Sequence, residues 1–104
     1  MKHASLGSVS SNTMRTEHLL EAFTAELEYH VQQNAKMWCS EDGRKQRDTF
    51  LALVNAAHEA DPETEEADEI LLELFDALEY FAPPNSYFGA HPNDGADYGF
   101  WPDE

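Results

Sequence analysis

Across residues 48–104 the chain contains no lysine and no arginine, yet it carries fifteen carboxylates. All six basic residues (Lys2, Arg15, Lys36, Arg44, Lys45 and Arg47) lie in residues 1–47, where six acids balance them. The formal charge of −15 therefore belongs to the second half. Without cations that half cannot make phosphate contacts, so direct nucleic-acid binding is disfavoured. General halophilic acidity also fits poorly, because residues 1–47 sum to zero. Cysteine is almost as scarce. A lone Cys39 excludes an internal disulfide or a Cys-based zinc cluster, and it fits a reducing compartment. No apolar run reaches the roughly 18 residues of a membrane span. Residues 1–12 lack the apolar stretch of a secretory signal, and Met1 and Met14 both stand open as the natural start. A cytoplasmic protein with no membrane partner is expected.

Chemical motifs are missing as well. The five histidines include no HExxH and no i, i+4 pair, and His30 and His58 are expected near the core-facing arcs of their helices. There is no Gly-rich phosphate loop, and no pattern supplies a base for Cys39. Residues 93–97 (Asn-Asp-Gly-Ala-Asp) lack the alternating acids and the twelfth-position glutamate of a calcium loop, so turn chemistry explains them better. No carboxylate pair stands out by an apolar setting that would raise one pKa. The expectation is a non-enzyme with no catalytic residue, no cofactor and no metal.

What the chain does have is 41% hydrophobic and 12% aromatic residues, too much for a disordered polyanion and enough for one small core. Ser-rich residues 1–12 read as a flexible arm ahead of a single domain over 13–104. The apolar spacing predicts helices over about 14–37, 44–60 and 62–81. The first is capped by Asn12 or Thr13, with Leu19, Leu20, Phe23, Leu27, Val31 and Trp38 facing inward. The second begins with the one basic cluster, Arg44-Lys45-Gln46-Arg47, and turns Phe50, Leu53, Val54 and Ala57 inward. The third is capped by Asp61-Pro62 and stopped by Pro83-Pro84; Ala67, Leu71, Leu74, Phe75, Leu78 and Phe81 gather on its inner side. Residues 86–101 then read as a β-hairpin turning at Asp94-Gly95. That register sets Phe88 opposite Trp101, and puts Tyr87, His91, Tyr98 and Phe100 on the other face. The fold expected is mainly α: three helices with a C-terminal two-stranded antiparallel hairpin packed on them.

The third helix holds the functional signal. Nine carboxylates lie between Asp61 and Glu79. At about 1.5 Å rise per residue, that is roughly one charge per 3 Å, close to the phosphate spacing of about 3.4 Å on one DNA strand. Solvated helices are often acidic too, but they usually interleave lysine or arginine at i, i+4. Here that compensation is missing, and Leu72 stands among the acids. The basic cluster could neutralise the helix from within the chain, or the field could be offered to a basic partner.

In residues 61–79 and the aromatic tail 87–101 (Tyr-Phe-Gly-Ala-His-Pro-Asn-Asp-Gly-Ala-Asp-Tyr-Gly-Phe-Trp), the chain resembles small acidic phage- and plasmid-encoded DNA-mimic inhibitors of the anti-CRISPR or anti-restriction type. The tail also looks like the endings of mobile-element proteins. The likeness covers about the C-terminal half and carries no motif that transfers a functional residue. It implies a basic nucleic-acid-binding protein or effector complex as partner. The residues expected to meet it are Glu65, Glu66, Asp68, Glu69, Leu72, Glu73, Asp76 and Glu79, joined by Tyr98 and Trp101. The alternative expectation is an adaptor of a mobile element that binds a protein through its hairpin.

Overall fold

The computed structural model describes residues 3–10 and 15–102. It contains α1 (Thr16–Gln33), a short 3-10 helix (Ala35–Cys39), α2 (Glu41–Glu59) and α3 (Glu65–Glu79). Three strands, β1 (Gly7–Ser10), β2 (Ser86–His91) and β3 (Asp94–Pro102), form one antiparallel sheet in the order β1-β3-β2. The C-terminal hairpin of the sequence reading is present. The sheet packs on α1 and α3, and α2 lies against both of those helices.

Each helix boundary follows from where its terminal backbone groups find partners. α1 ends earlier than the spacing suggests. The Asn34 side-chain amide donates to the His30 carbonyl at 2.8 Å, and the Trp38 indole N–H donates to the Val31 carbonyl at 2.8 Å. These side-chain donors reinforce carbonyls at the helix end that the Asn34 N–H also reaches, and the chain tightens into the 3-10 turn while Trp38 stays buried. The capping positions predicted for α1, Asn12 and Thr13, lie outside the described residues. α2 starts three residues before the expected Arg44, because the Ser40 hydroxyl accepts from the Gly43 N–H at 3.0 Å and makes Ser40 the cap. α3 starts later than expected. Asp61 organises a turn, accepting from the Glu63 N–H at 3.0 Å, and Thr64 caps the helix by accepting from Ala67. At the far end, Asn85 takes φ 62° and directs the chain into β2.

The expected flexible arm is instead a strand over Gly7–Ser10, so the sheet has three strands and not two. The Ala4 N–H donates to the Phe81 carbonyl at 2.8 Å, Ala4 is buried, and Ser8 donates to Asp97. β1 can approach because β3 carries Gly99 opposite Ser8. A Cβ at Gly99 would fall onto the Gly7 carbonyl oxygen and within 2.8 Å of the Ser8 Cα.

The hairpin register is also corrected by one residue. Phe88 pairs with Phe100 and Tyr87 with Trp101, and the loop is Pro92-Asn93 rather than Asp94-Gly95. The register skips residues 95–97 of β3, an enlarged bulge that takes up the Asp-Gly signal. Because side chains alternate along a strand, one step exchanges the faces. Phe88, Phe100 and Tyr98 now point to the helices, while Trp101 shares the outer face with Tyr87 and His91.

Phe23 is the hub of the core, with ring centroids at 5.1 Å to Phe75, 5.0 Å to Phe88 and 5.7 Å to Tyr98. Phe81, which follows α3, joins the halves of the core: it stacks on His30 at 5.4 Å and meets Phe50 at 5.4 Å. Edge-on pairs such as those of Phe23 contribute about 0.5–1.5 kcal/mol each beyond burial.

Candidate functional site

α3 is amphipathic in the strict sense, since its two faces do opposite work. Ala67, Ile70, Leu74, Ala77 and Leu78 are buried, and Leu71 and Phe75 are half-buried at the margin. The spacing had pointed to five of these; Ile70 and Ala77 complete the set, and Ala77 sits on the flank that faces α2. The acids occupy the remaining arc. At about 100° per residue, Glu65, Glu66, Asp68, Glu69, Glu73, Asp76 and Glu79 spread over roughly 160° of the helix. All seven are exposed. Over the fifteen residues of α3 they give about one carboxylate per 3 Å. The density read from the sequence is retained, although Asp61 and Glu63 now belong to the turn before the helix.

Internal neutralisation does not occur among the described residues. No described lysine, arginine or histidine forms an ion pair with an α3 carboxylate. Arg47 pairs instead with its neighbour Asp48 at 3.2 Å. The earlier start of α2 also places Arg44, Lys45 and Arg47 past its first residues, so they do not open the helix as expected. The other ion pairs lie on or beside α1. His58 is exposed and bridges to Glu28 at 3.0 Å, which corrects its expected inward position, whereas His30 is buried and bonded to Glu26 at 2.8 Å.

Leu72 lies where the wheel put it, in the middle of the acidic arc, and it is 66% exposed. The two aromatic candidates separate. Tyr98 is half-buried and packs its ring against Phe23 and Phe75 on the inner face of the sheet. Trp101 is on the outer face and half-buried; its indole N–H donates to the Gly89 carbonyl at 2.9 Å and its ring meets His91 edge-on at 4.7 Å. The structure thus brings together the seven acids and Leu72 on one helix, and assigns Trp101 to the sheet.

One feature went unread in the sequence. Beside the acidic arc an open groove of about 520 Å³ runs between α2 and α3. Phe50 and Ala77 are buried beneath it, Thr49, Ala52 and Ala56 line its α2 side, and Glu73, Asp76 and Tyr80 line its α3 side. Small exposed residues on α2 were the available signal, but alanines carry no information until the neighbouring helix is placed.

Among the described residues, no group of three or more histidine, cysteine, aspartate or glutamate side chains could hold a metal ion, and no helix is long and apolar enough to cross a membrane. Cys39 is exposed. No family model matches this sequence, and no curated protein or solved structure is similar enough to match it.

Proposed function

We propose that this protein is a non-enzymatic inhibitor that presents the α3 face, as a mimic of nucleic-acid phosphates, to a basic groove on a host defence complex of the anti-CRISPR or anti-restriction type. It would act in the host cytoplasm. The observation that carries this reading is the set of seven exposed carboxylates on one helical face, with no cation beside them among the described residues. Lysines and arginines that would meet phosphates meet these carboxylates instead, and the inhibitor competes with the nucleic acid for them. Leu72 adds a short-range apolar contact at the centre of the charged field.

The test is plasmid transformation into bacteria that carry an active restriction or CRISPR system, with and without this chain co-expressed. Transformation should recover when the chain is present. It should fall back when Glu66, Glu69, Glu73 and Asp76 are all changed to lysine. Full protection by that folded variant would refute the proposal.

The adaptor reading retains one observation in its favour: Tyr87, His91 and Trp101 share the outer sheet face and are all half-buried. Docking there would be lost with Trp101→Ala and would depend weakly on salt. Phosphate mimicry depends on salt steeply.

A further inference from the structure

We propose that the groove between α2 and α3 is a docking site for one amphipathic helix of a partner protein, with lysine or arginine along one flank. This goes beyond phosphate mimicry, which concerns the outward arc of α3 and requires no groove.

The geometry selects the occupant. α2 and α3 are joined by the short turn at residues 60–64 and run antiparallel, so that Phe50 meets Tyr80 at 5.3 Å. From Gln46 to Ala56 the groove follows eleven residues of α2, or about 15 Å, the length of some three helical turns. Its walls are helices whose backbone groups are already bonded within the helix. An extended peptide would find no ladder partners there, whereas a helix arrives with its own backbone satisfied. Ala52 and Ala56, four residues apart, leave a depression on α2 into which a ridge of larger side chains can fit.

Charge fixes the flank. The α3 rim carries Glu73 and Asp76, three residues apart and without an ion pair among the described residues. The α2 wall opposite offers only neutral groups, including Gln46 and Thr49. A docked helix is therefore complementary when its apolar stripe faces Phe50 and Ala77 and its cations lie on the α3 side alone. A second copy of this chain is a poor occupant, because two molecules of charge −15 repel.

The probe is a fluorescent peptide of about 14 residues with leucines at i, i+3, i+4 and i+7 and two lysines along one flank. One control scrambles its order and a second replaces the lysines with glutamate. Fluorescence anisotropy on the full chain should show the designed peptide binding about tenfold more tightly than either control. Ala56→Trp and Ala52→Trp, each checked by circular dichroism, should each weaken it by about tenfold by filling the groove. Glu73→Gln with Asp76→Asn should weaken it several-fold and flatten its salt dependence, while Glu65→Gln with Glu79→Gln should leave it unchanged. On the wild-type chain, peptide-induced amide shifts should centre on Ala52, Ala56 and Ala77. Equal binding of the scrambled peptide, shifts centred on the outer arc of α3, or self-association that occupies the groove would each overturn the proposal. Failure of the wild-type chain to restore transformation, with peptide binding intact, would count against mimicry and leave the groove assignment standing.

Discussion

Replacing Glu69 with lysine should make this protein more stable, and the size of the gain can be worked from α3. Four pairs of its acids stand at i, i+3: Glu65–Asp68, Glu66–Glu69, Glu73–Asp76 and Asp76–Glu79. Glu65–Glu69 and Glu69–Glu73 stand at i, i+4. At about 0.2–0.5 kcal/mol each, this repulsion costs the helix roughly 1–3 kcal/mol at low salt. Glu69 takes part in three of the pairs. Lysine there turns three repulsions into attractions, a swing of roughly 1–3 kcal/mol, and Glu65 then precedes it in the favourable order. Glutamate and lysine have similar helix propensities, and position 69 lies beyond the first turn where the helix dipole favours acids. For a domain of this size each kcal/mol moves the melting temperature by about 4–8 °C. Thermal denaturation followed by circular dichroism in dilute buffer should therefore show a rise of about 5–20 °C. Glu69→Gln should give a smaller rise, and high salt should shrink both differences. A neutral or destabilising Glu69→Lys in dilute buffer would refute the premise that this face repels itself.

Three further outcomes follow from the packing. Phe23→Ala removes the ring at the centre of the aromatic cluster and should cost about 3–5 kcal/mol in urea denaturation, a large share of the roughly 5–15 kcal/mol typical of a folded domain. Ser40→Ala removes the α2 cap and should cost about 1 kcal/mol in the same measurement, with the midpoint shifted and the slope unchanged. Gly99→Ala drives a methyl group into the backbone of β1. Hydrogen exchange should then speed up at β1 and at Ala4 while the amides of α1 and α3 remain protected; unchanged protection of β1 would contradict the close approach.

Much of the helical layout was legible because helix periodicity and acid placement are local properties. Leu72 illustrates this well: its angle on the wheel sufficed to place it among the acids, exposed. Boundaries were less legible, because they depend on which of several capable groups takes a cap. Asp61 and Thr64 both satisfy the chemistry, and Ser40 begins a helix inside a stretch that reads as a loop. Trp38 follows the apolar spacing of α1 yet sits in a 3-10 turn, since its indole N–H finds the Val31 carbonyl. β1 was illegible for a different reason. A Ser-rich segment has no strand signature of its own and is held by β3 and Phe81, which are about 70–90 residues away in sequence. The hairpin shows how a local signal can mislead. Asp94-Gly95 is a good turn pair, but the two-residue loop forms at Pro92-Asn93, and a shift of one residue put Phe100 in place of Trp101 opposite Phe88.

The acids of α3 do not all call for the same explanation. Glu65, Glu66 and Asp68 occupy the first turn, where the exposed N–H groups and the positive end of the helix dipole favour negative charge. Those three are accounted for by helix stability alone. Glu69 and Glu73 lie mid-helix without cations at i, i+4. Asp76 and Glu79 stand near the last turn, where carbonyl oxygens accumulate, no basic residue is present, and each carboxylate works against the dipole. A helix built only to be stable and soluble would carry lysine at several of these four positions. Glu73 and Asp76 also form the rim of the α2–α3 groove, while Leu72, exposed between them and the first turn, adds apolar surface to the same side of the molecule. The least favourable charges therefore lie beside the groove proposed to receive a partner. A basic partner would relieve the repulsion as it binds, and it would convert strain held in the free protein into affinity.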